Sequence, residues 1–339
     1  MDNKRIQKWD LLKAFLMFCV VLGHFADVHA GTNEFAQSLY LFLYSFHMPL
    51  FIFISGLFSK KMVNEKQWDK MLGYLVLYFF LKLVKYIYDA VFDQCFTFRV
   101  FGETGIAWFM FALFVFAVIT VFTSKYKPAC VLVFSILLSL FAGYDNEIGS
   151  TLVLSRIIVL YPFYYAGYCI DPKKLVKISK GKIKKIFALV LIGVLIWVAF
   201  TFKDLYITRP MFVCQHPYEK LGEYAAFGPL IRLACYAVSA LACVCFIIIT
   251  PNRIGKGFLA RFGQYTLPVY CFHYLIIYLV YRTFKITDYV TEDAMMWLIF
   301  LLSLLTTLLL SNKWLNILIL KLMEIPKKTR RINNHEMKK

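Results

Sequence analysis

Two apolar stretches of membrane length fill Arg5–Lys61, and both carry ionisable residues: Asp10, Lys13 and His24 in the first, His47 in the second. A transmembrane helix needs about 20 predominantly apolar residues. Ionisable groups within such a span are costly, so by default they face a cavity or a partner and mark function. Lys13 and His24 stand eleven residues apart, close to three whole turns at about 3.6 residues per turn. They therefore share one helix face, about 16 Å apart along the axis. The remaining chain must supply a container for that face.

Of the 339 residues, 60% are apolar and mean hydropathy is +0.65, against a roughly half-apolar composition in soluble domains. The excess runs the length of the chain. Ten spans are expected, at 9–28, 38–58, 71–93, 107–124, 129–143, 151–170, 185–202, 227–250, 265–284 and 294–312. The fold class is thus all-α, a polytopic membrane protein with one membrane domain over 1–312 and a basic tail over 313–339. The last span continues through LNILILKLM either as one long helix or as a broken one. MDNKRIQKWD leads into the first span without a small-residue cleavage site, so that helix is expected to stay in the mature protein.

The formal charge of +18 sits in short segments between apolar runs, where orientation signals lie. Lys4, Arg5 and Lys8, then Lys60, Lys61, Lys66 and Lys70, Lys125 and Lys127, the Lys173–Lys185 cluster, and Arg253, Lys256 and Arg261 fall on one side, as do KKTRR and the final lysines. The opposite side holds only Arg99, Lys203, Arg209, Lys220 and Lys285, mixed with Asp145, Glu147, Glu219, Glu223, Asp288, Glu292 and Asp293. Both termini are expected to be cytoplasmic. No nucleic-acid partner is expected, because such a stripe needs a soluble face to present it. Cys95 and Cys214 fall in outer loops, either bridged or as two free thiols. No Cys/His spacing points to a metal.

His24 ends the run FCVVLGH, beside Gly23, which permits close backbone approach. Its ring can move a proton near neutral pH; the bland alternative is a packed histidine. His47 precedes Pro49, which cannot donate to the carbonyl of Ser45 and should kink the helix there. Freed backbone in a bilayer calls for a polar cavity or a partner. Asp10 and Lys13 lie one turn apart, either pairing and snorkelling to the interface or meeting an anionic ligand. Lys82, Lys85 and Asp89 share a face of the third span, with Lys85 and Asp89 at i,i+4. Arg156, Arg232 and His273 are further intramembrane candidates, some of which must be structural. Trp108 follows a Gly-bearing loop and reads as an interface anchor, with a ligand platform as the alternative. The outer stretch KDLYITRPMFVCQHPYEKLGEYAAFGP suits a lid or an ordinary surface loop equally.

The runs KWDLLKAFLMFCVVLGH and YSFHMPLFIFISGLF resemble the start of the acyltransferase-three family, particularly its fucose 4-O-acetylase-like branch. GIAWFMFALFVF (105–116), SRIIVLYPFYYAGY (155–168) and FGQYTLPVYCFH (262–273) extend the resemblance over nearly the whole chain in order. The family places a basic residue, commonly Arg, upstream of an essential His in its first helix; Lys13 and His24 occupy those positions. Lys lacks the planar fork of Arg. The resemblance implies about ten membrane helices, acetyl-CoA as acyl donor with no permanently bound cofactor, and a sugar hydroxyl of a cell-surface polysaccharide or its lipid-linked precursor as acceptor. It implies a bacterial inner membrane as the location. His24 and His47 are then the candidate catalytic residues, and Lys13, Asp10, Arg156, Trp108 and His273 the candidate substrate or donor contacts. Two rival readings are a polysaccharide or anion transporter, whose pathway the same polar residues would line, and a structural subunit of a synthase complex.

Overall fold

Apolar runs bounded by Pro, Asn and Asp fold as helices, as a computed structural model describes for residues 7–98, 105–149, 153–252, 262–286, 290 and 296–336. The helices are α1 (Gln7–His29), α2 (Glu34–Asn64), α3 (Trp68–Phe92), α4 (Trp108–Thr123), α5 (Pro128–Phe141), α6 (Leu154–Cys169), α7 (Pro172–Ile178) and α8 (Lys182–Thr201). They continue with α9 (Arg209–Val213), α10 (Gly228–Ile249), α11 (Thr266–Phe284), α12 (Trp297–Leu310), α13 (Lys313–Met323) and α14 (Ile325–Glu336). Starts follow local chemistry. Asn33 accepts a hydrogen bond from the Ala36 amide (2.8 Å) to cap α2, and Pro opens α5, α7, α9 and α10 where its missing N–H costs nothing.

A helix lies at each stretch expected to be a span. Among the described residues, α1, α2, α8, α11, and α10 with the turns leading into it are long and apolar enough to cross a bilayer, and α12 with α13 makes a pair bent by 66°. That pair is the broken alternative for LNILILKLM. Residues 313–336, which take in LNILILKLM and most of the basic tail, are helical and lie along α3: Ile319 is buried, Gly73 abuts the Met323 carbonyl, and Arg330 pairs with Asp69 at 3.4 Å. Lys4, Arg5, Arg99, Arg253, Lys256, Arg261, Asp288, Glu292, Asp293 and the final lysines lie outside the described residues.

The core sits on α1 and α2, whose apolar side chains are mostly buried. At the periphery, α5 and α8 expose Phe134, Phe141, Ile183, Phe187 and Trp197. An apolar surface on that scale is foreign to soluble monomers and suits hydrocarbon. Helix α2 crosses α6 at two glycines: a Cβ on Gly56 would stand 2.0 Å from the Tyr164 carbonyl, and one on Gly167 2.0 Å from that of Phe53. Small residues let membrane helices approach in this way.

Both crossing helices contain a proline, Pro49 in α2 and Pro162 in α6, and α10 braces each. The Ser45 carbonyl freed by Pro49 accepts from the Ser239 hydroxyl at 2.5 Å. The Tyr236 hydroxyl donates to the Val159 carbonyl at 2.5 Å. Two buried cations elsewhere donate to backbone carbonyls. Lys8 donates to the Thr250 carbonyl (2.8 Å) at the end of α10 and to the Ser179 hydroxyl (3.0 Å), where a cation complements the helix dipole. Arg232, 1% exposed, donates to the carbonyls of Ser139 (3.1 Å) and His216 (3.4 Å) and lies over the Tyr218 ring. It is a structural brace. Cys95 is exposed and Cys214 buried, both as free thiols.

Candidate active site

On α1, Lys13, Met17, Val20, His24 and Asp27 recur at three- and four-residue steps and so form one stripe. Its upper half opens on a cavity. His24 and Asp27 lie in the last two turns of α1; Trp108 is the first residue of α4 and Arg156 the third of α6. The cavity therefore forms at the end of the bundle where α1 finishes and α4 and α6 begin. It has two parts that meet at His24, Tyr44, Trp108 and Arg156.

The outer chamber measures about 650 Å³. Asp27, Tyr40, Lys82, Lys85, Asp89, Arg209, Gln215, His216, Tyr274 and Tyr278 line it, among others. Two ion pairs stand in its lining, Arg209 with Asp27 at 2.8 Å and Lys85 with Asp89 at 2.7 Å. Arg209 also lies over the Tyr40 ring at 4.9 Å. Burial and the cations Arg209, Arg156 and Lys220 hold His216 below the usual histidine range.

The inner pocket is small, about 60 Å³, and mostly apolar, with Met17, Val20, Met48, Phe51, Phe109 and Leu160 in its wall. His47 and His273 line it too, 2% and 0% exposed. The Nδ1 of His47 donates to the Leu43 carbonyl at 2.6 Å, and that of His273 to the carbonyls of Val269 and Tyr270, both at 2.9 Å. A carbonyl only accepts, so each neutral ring carries its proton on Nδ1 and leaves an Nε2 lone pair. Among the described residues the buried His273 Nε2 has no hydrogen-bond partner. The His24 ring stands 5.2 Å from those of His273 and Tyr274. Arg156 stacks on Trp108, its guanidinium carbon 4.5 Å from the ring centroid, while its Nε donates to the Val213 carbonyl at 3.3 Å.

The fold thus gathers His24, His47, Arg156, Trp108 and His273 around one cavity. Trp108, for which the sequence offered an interface anchor or a ligand platform, lines it beneath Arg156. Asp10 and Lys13 are not in it: they pair at 3.2 Å near the start of α1, below Met17. Asp27, Tyr40, Tyr44, Arg209, His216 and Tyr274 were not singled out from sequence. Asp27 was readable, being one turn beyond His24 on the same stripe. Arg209 was not, because it belongs to the 203–229 stretch, whose place beside the chamber only the fold reveals.

The family described as an acyltransferase domain matches residues 6–311. Nodulation protein NolL of Mesorhizobium japonicum is 24% identical over 293 residues, covering 79% of this chain and 75% of its own length. No solved structure matches the chain.

Proposed function

The chain belongs to the acyltransferase family whose domain spans residues 6–311, and from that premise we propose that it is an O-acetyltransferase of a bacterial inner membrane, with acetyl-CoA as donor and a sugar hydroxyl of an envelope glycan or its lipid-linked precursor as acceptor. The observation that carries the reading is the position of His24, where a roomy polar chamber meets a small apolar pocket. The chamber suits a sugar, with paired charges and Tyr40, Tyr44 and Tyr274 to contact hydroxyls and ring faces. The pocket suits a short acyl group.

In this mechanism ten spans place both termini in the cytoplasm, as the distribution of Lys and Arg favours, and the chamber opens outward. Lys13 and the basic inner segments attract the donor's phosphates. The sugar hydroxyl oxygen attacks the thioester carbonyl as His24 takes its proton, a role worth about 10²–10⁴ in rate. Arg156 stabilises the resulting oxyanion. His47 is ill suited to that task, because its Nδ1 proton is committed to Leu43 and its Nε2 offers a lone pair. The carbon–sulfur bond then breaks, and the thiolate recovers the proton from His24. The narrowing to about 60 Å³ beside His24 favours a reaction chamber over a pathway wide enough for a polysaccharide.

The test uses membranes containing wild-type protein or His24→Ala at matched abundance, supplied with labelled acetyl-CoA and an envelope glycan extract. Ester label in carbohydrate with wild type and none with the variant is the expected result. Equal label in both removes His24 from the chemistry.

A further inference from the structure

His24, His47 and His273 all border the inner pocket, and two of the three are fixed by their own helices. The Nδ1 protons of His47 and His273 go to carbonyls of α2 and α11, which leaves the Nε2 of each as an acceptor. His24 is different. Among the described residues no hydrogen bond holds either of its nitrogens, yet a general base must present one lone pair in one direction. An imidazole does so when its proton sits on the other nitrogen, and the partner of that N–H decides which nitrogen this is.

The surroundings of His24 show where such a partner lies. Its ring borders both the chamber and the pocket. Two consecutive residues of α11 divide between those spaces, Tyr274 lining the chamber and His273 the pocket. Each of their rings stands 5.2 Å from that of His24. A sugar hydroxyl reaches His24 from the chamber, so the N–H of His24 belongs on the pocket side. On that side His273 is 0% exposed, and its Nε2 has no partner among the described residues. An acceptor buried in that state costs about 1–3 kcal/mol. An N–H···N bond of about 3 Å plus the radius of each ring spans the distance between the two histidines. Bonds of this kind are often poorly aligned in an unloaded site and tighten when substrate binds. His47 does not compete for the role, because its ring meets Tyr44 edge-on at 4.6 Å and makes no ring contact with His24 among the described residues.

We propose that His273 is the positioning residue of the catalytic base: its Nε2 accepts the pocket-side N–H of His24 and so keeps the chamber-side nitrogen unprotonated for the sugar hydroxyl. The proposal rests on the acyltransferase reading and adds to it the group that orients His24. The sugar proton moves to the chamber-side nitrogen and leaves from there to the thiolate. The pocket-side proton stays on His24 throughout, and no proton passes to His273. As His24 becomes an imidazolium the bond to His273 becomes charge-assisted and strengthens, so it favours the transition state over the ground state.

The test compares His273→Leu, which removes the acceptor, with His273→Gln, whose side-chain oxygen can replace it, in membranes at matched abundance. His273→Leu should lower kcat at least about 10²-fold, the lower end of what a general base supplies, with KM for the sugar little changed. His273→Gln should recover at least about 10-fold of that loss. A loss below about 10-fold in His273→Leu overturns the proposal, and equal losses in both variants overturn it by marking a packing role. Nitrogen NMR of wild-type protein carrying isotope-labelled histidine, with the His24 signal assigned by its loss in His24→Ala, needs neither a folded His273 variant nor transfer activity. A single His24 tautomer whose N–H is shared with a nitrogen of His273 is expected there, and a His24 ring that exchanges between its two tautomers overturns the pairing. Wild-type protein that transfers from no donor marks a different failure, that of the acyltransferase reading, and the NMR result still decides the pairing.

Discussion

At the scale of single residues, the site divides between groups that accept protons and one that donates hydrogen bonds. His47 and His273 have Nδ1 tied to their own helices, and Arg156 lies over the Trp108 ring. Arg156→Lys keeps the charge and loses both the fork and the stacking. Steady-state kinetics should then show kcat down about 10²–10³-fold, the size of one lost oxyanion donor, with KM for the sugar little changed. A change in KM alone would assign Arg156 to acceptor binding. These residues were legible because each interrupts an apolar run, which a bilayer penalises. Their grouping was not legible, nor was the tautomer of each ring. Both depend on which carbonyl and which neighbouring helix lie within reach.

Among the elements, α10 supplies none of the described lining residues and yet braces two helices that do. Its Ser239 and Tyr236 hydroxyls hold the two proline-bearing helices that carry His47 and Arg156. Ser239→Ala leaves the Ser45 carbonyl unpaired and should lower stability by about 0.6–2 kcal/mol, the worth of an interhelical hydrogen bond in a membrane. A detergent thermal melt measures it. Gly167→Leu has no such graded outcome, since its side chain would enter the Phe53 carbonyl; the variant should fail to accumulate on immunoblots of membranes. The carbonyl freed by Pro49 was readable from the missing N–H, but its partner lies 194 residues away and has no local signature. Hydropathy placed the apolar helices well. It reached LNILILKLM, the apolar run that holds the buried Ile319, but gave no sign that the basic run after it would meet α3, where Arg330 pairs with Asp69.

For the molecule as a whole, the proposed orientation can be read from its thiols. Cys95 is exposed at the chamber rim, with Thr97 holding its thiol below the usual range, whereas burial pushes that of Cys214 up to about 11. Cys130, also exposed, opens α5 near Lys125 and Lys127. A membrane-impermeant maleimide should label Cys95 in intact cells, Cys130 only after permeabilisation, and Cys214 in neither. Reversal of the first two would invert the topology. The pairing of His24 with His273, and of Lys8 with Ser179 and Thr250, also has a temporal side. Translation makes α1 first, and its polar stripe must wait for helices made near the end of synthesis before those groups meet. A nascent chain released before α11 therefore carries His24 without the His273 ring that stands beside it in the finished fold.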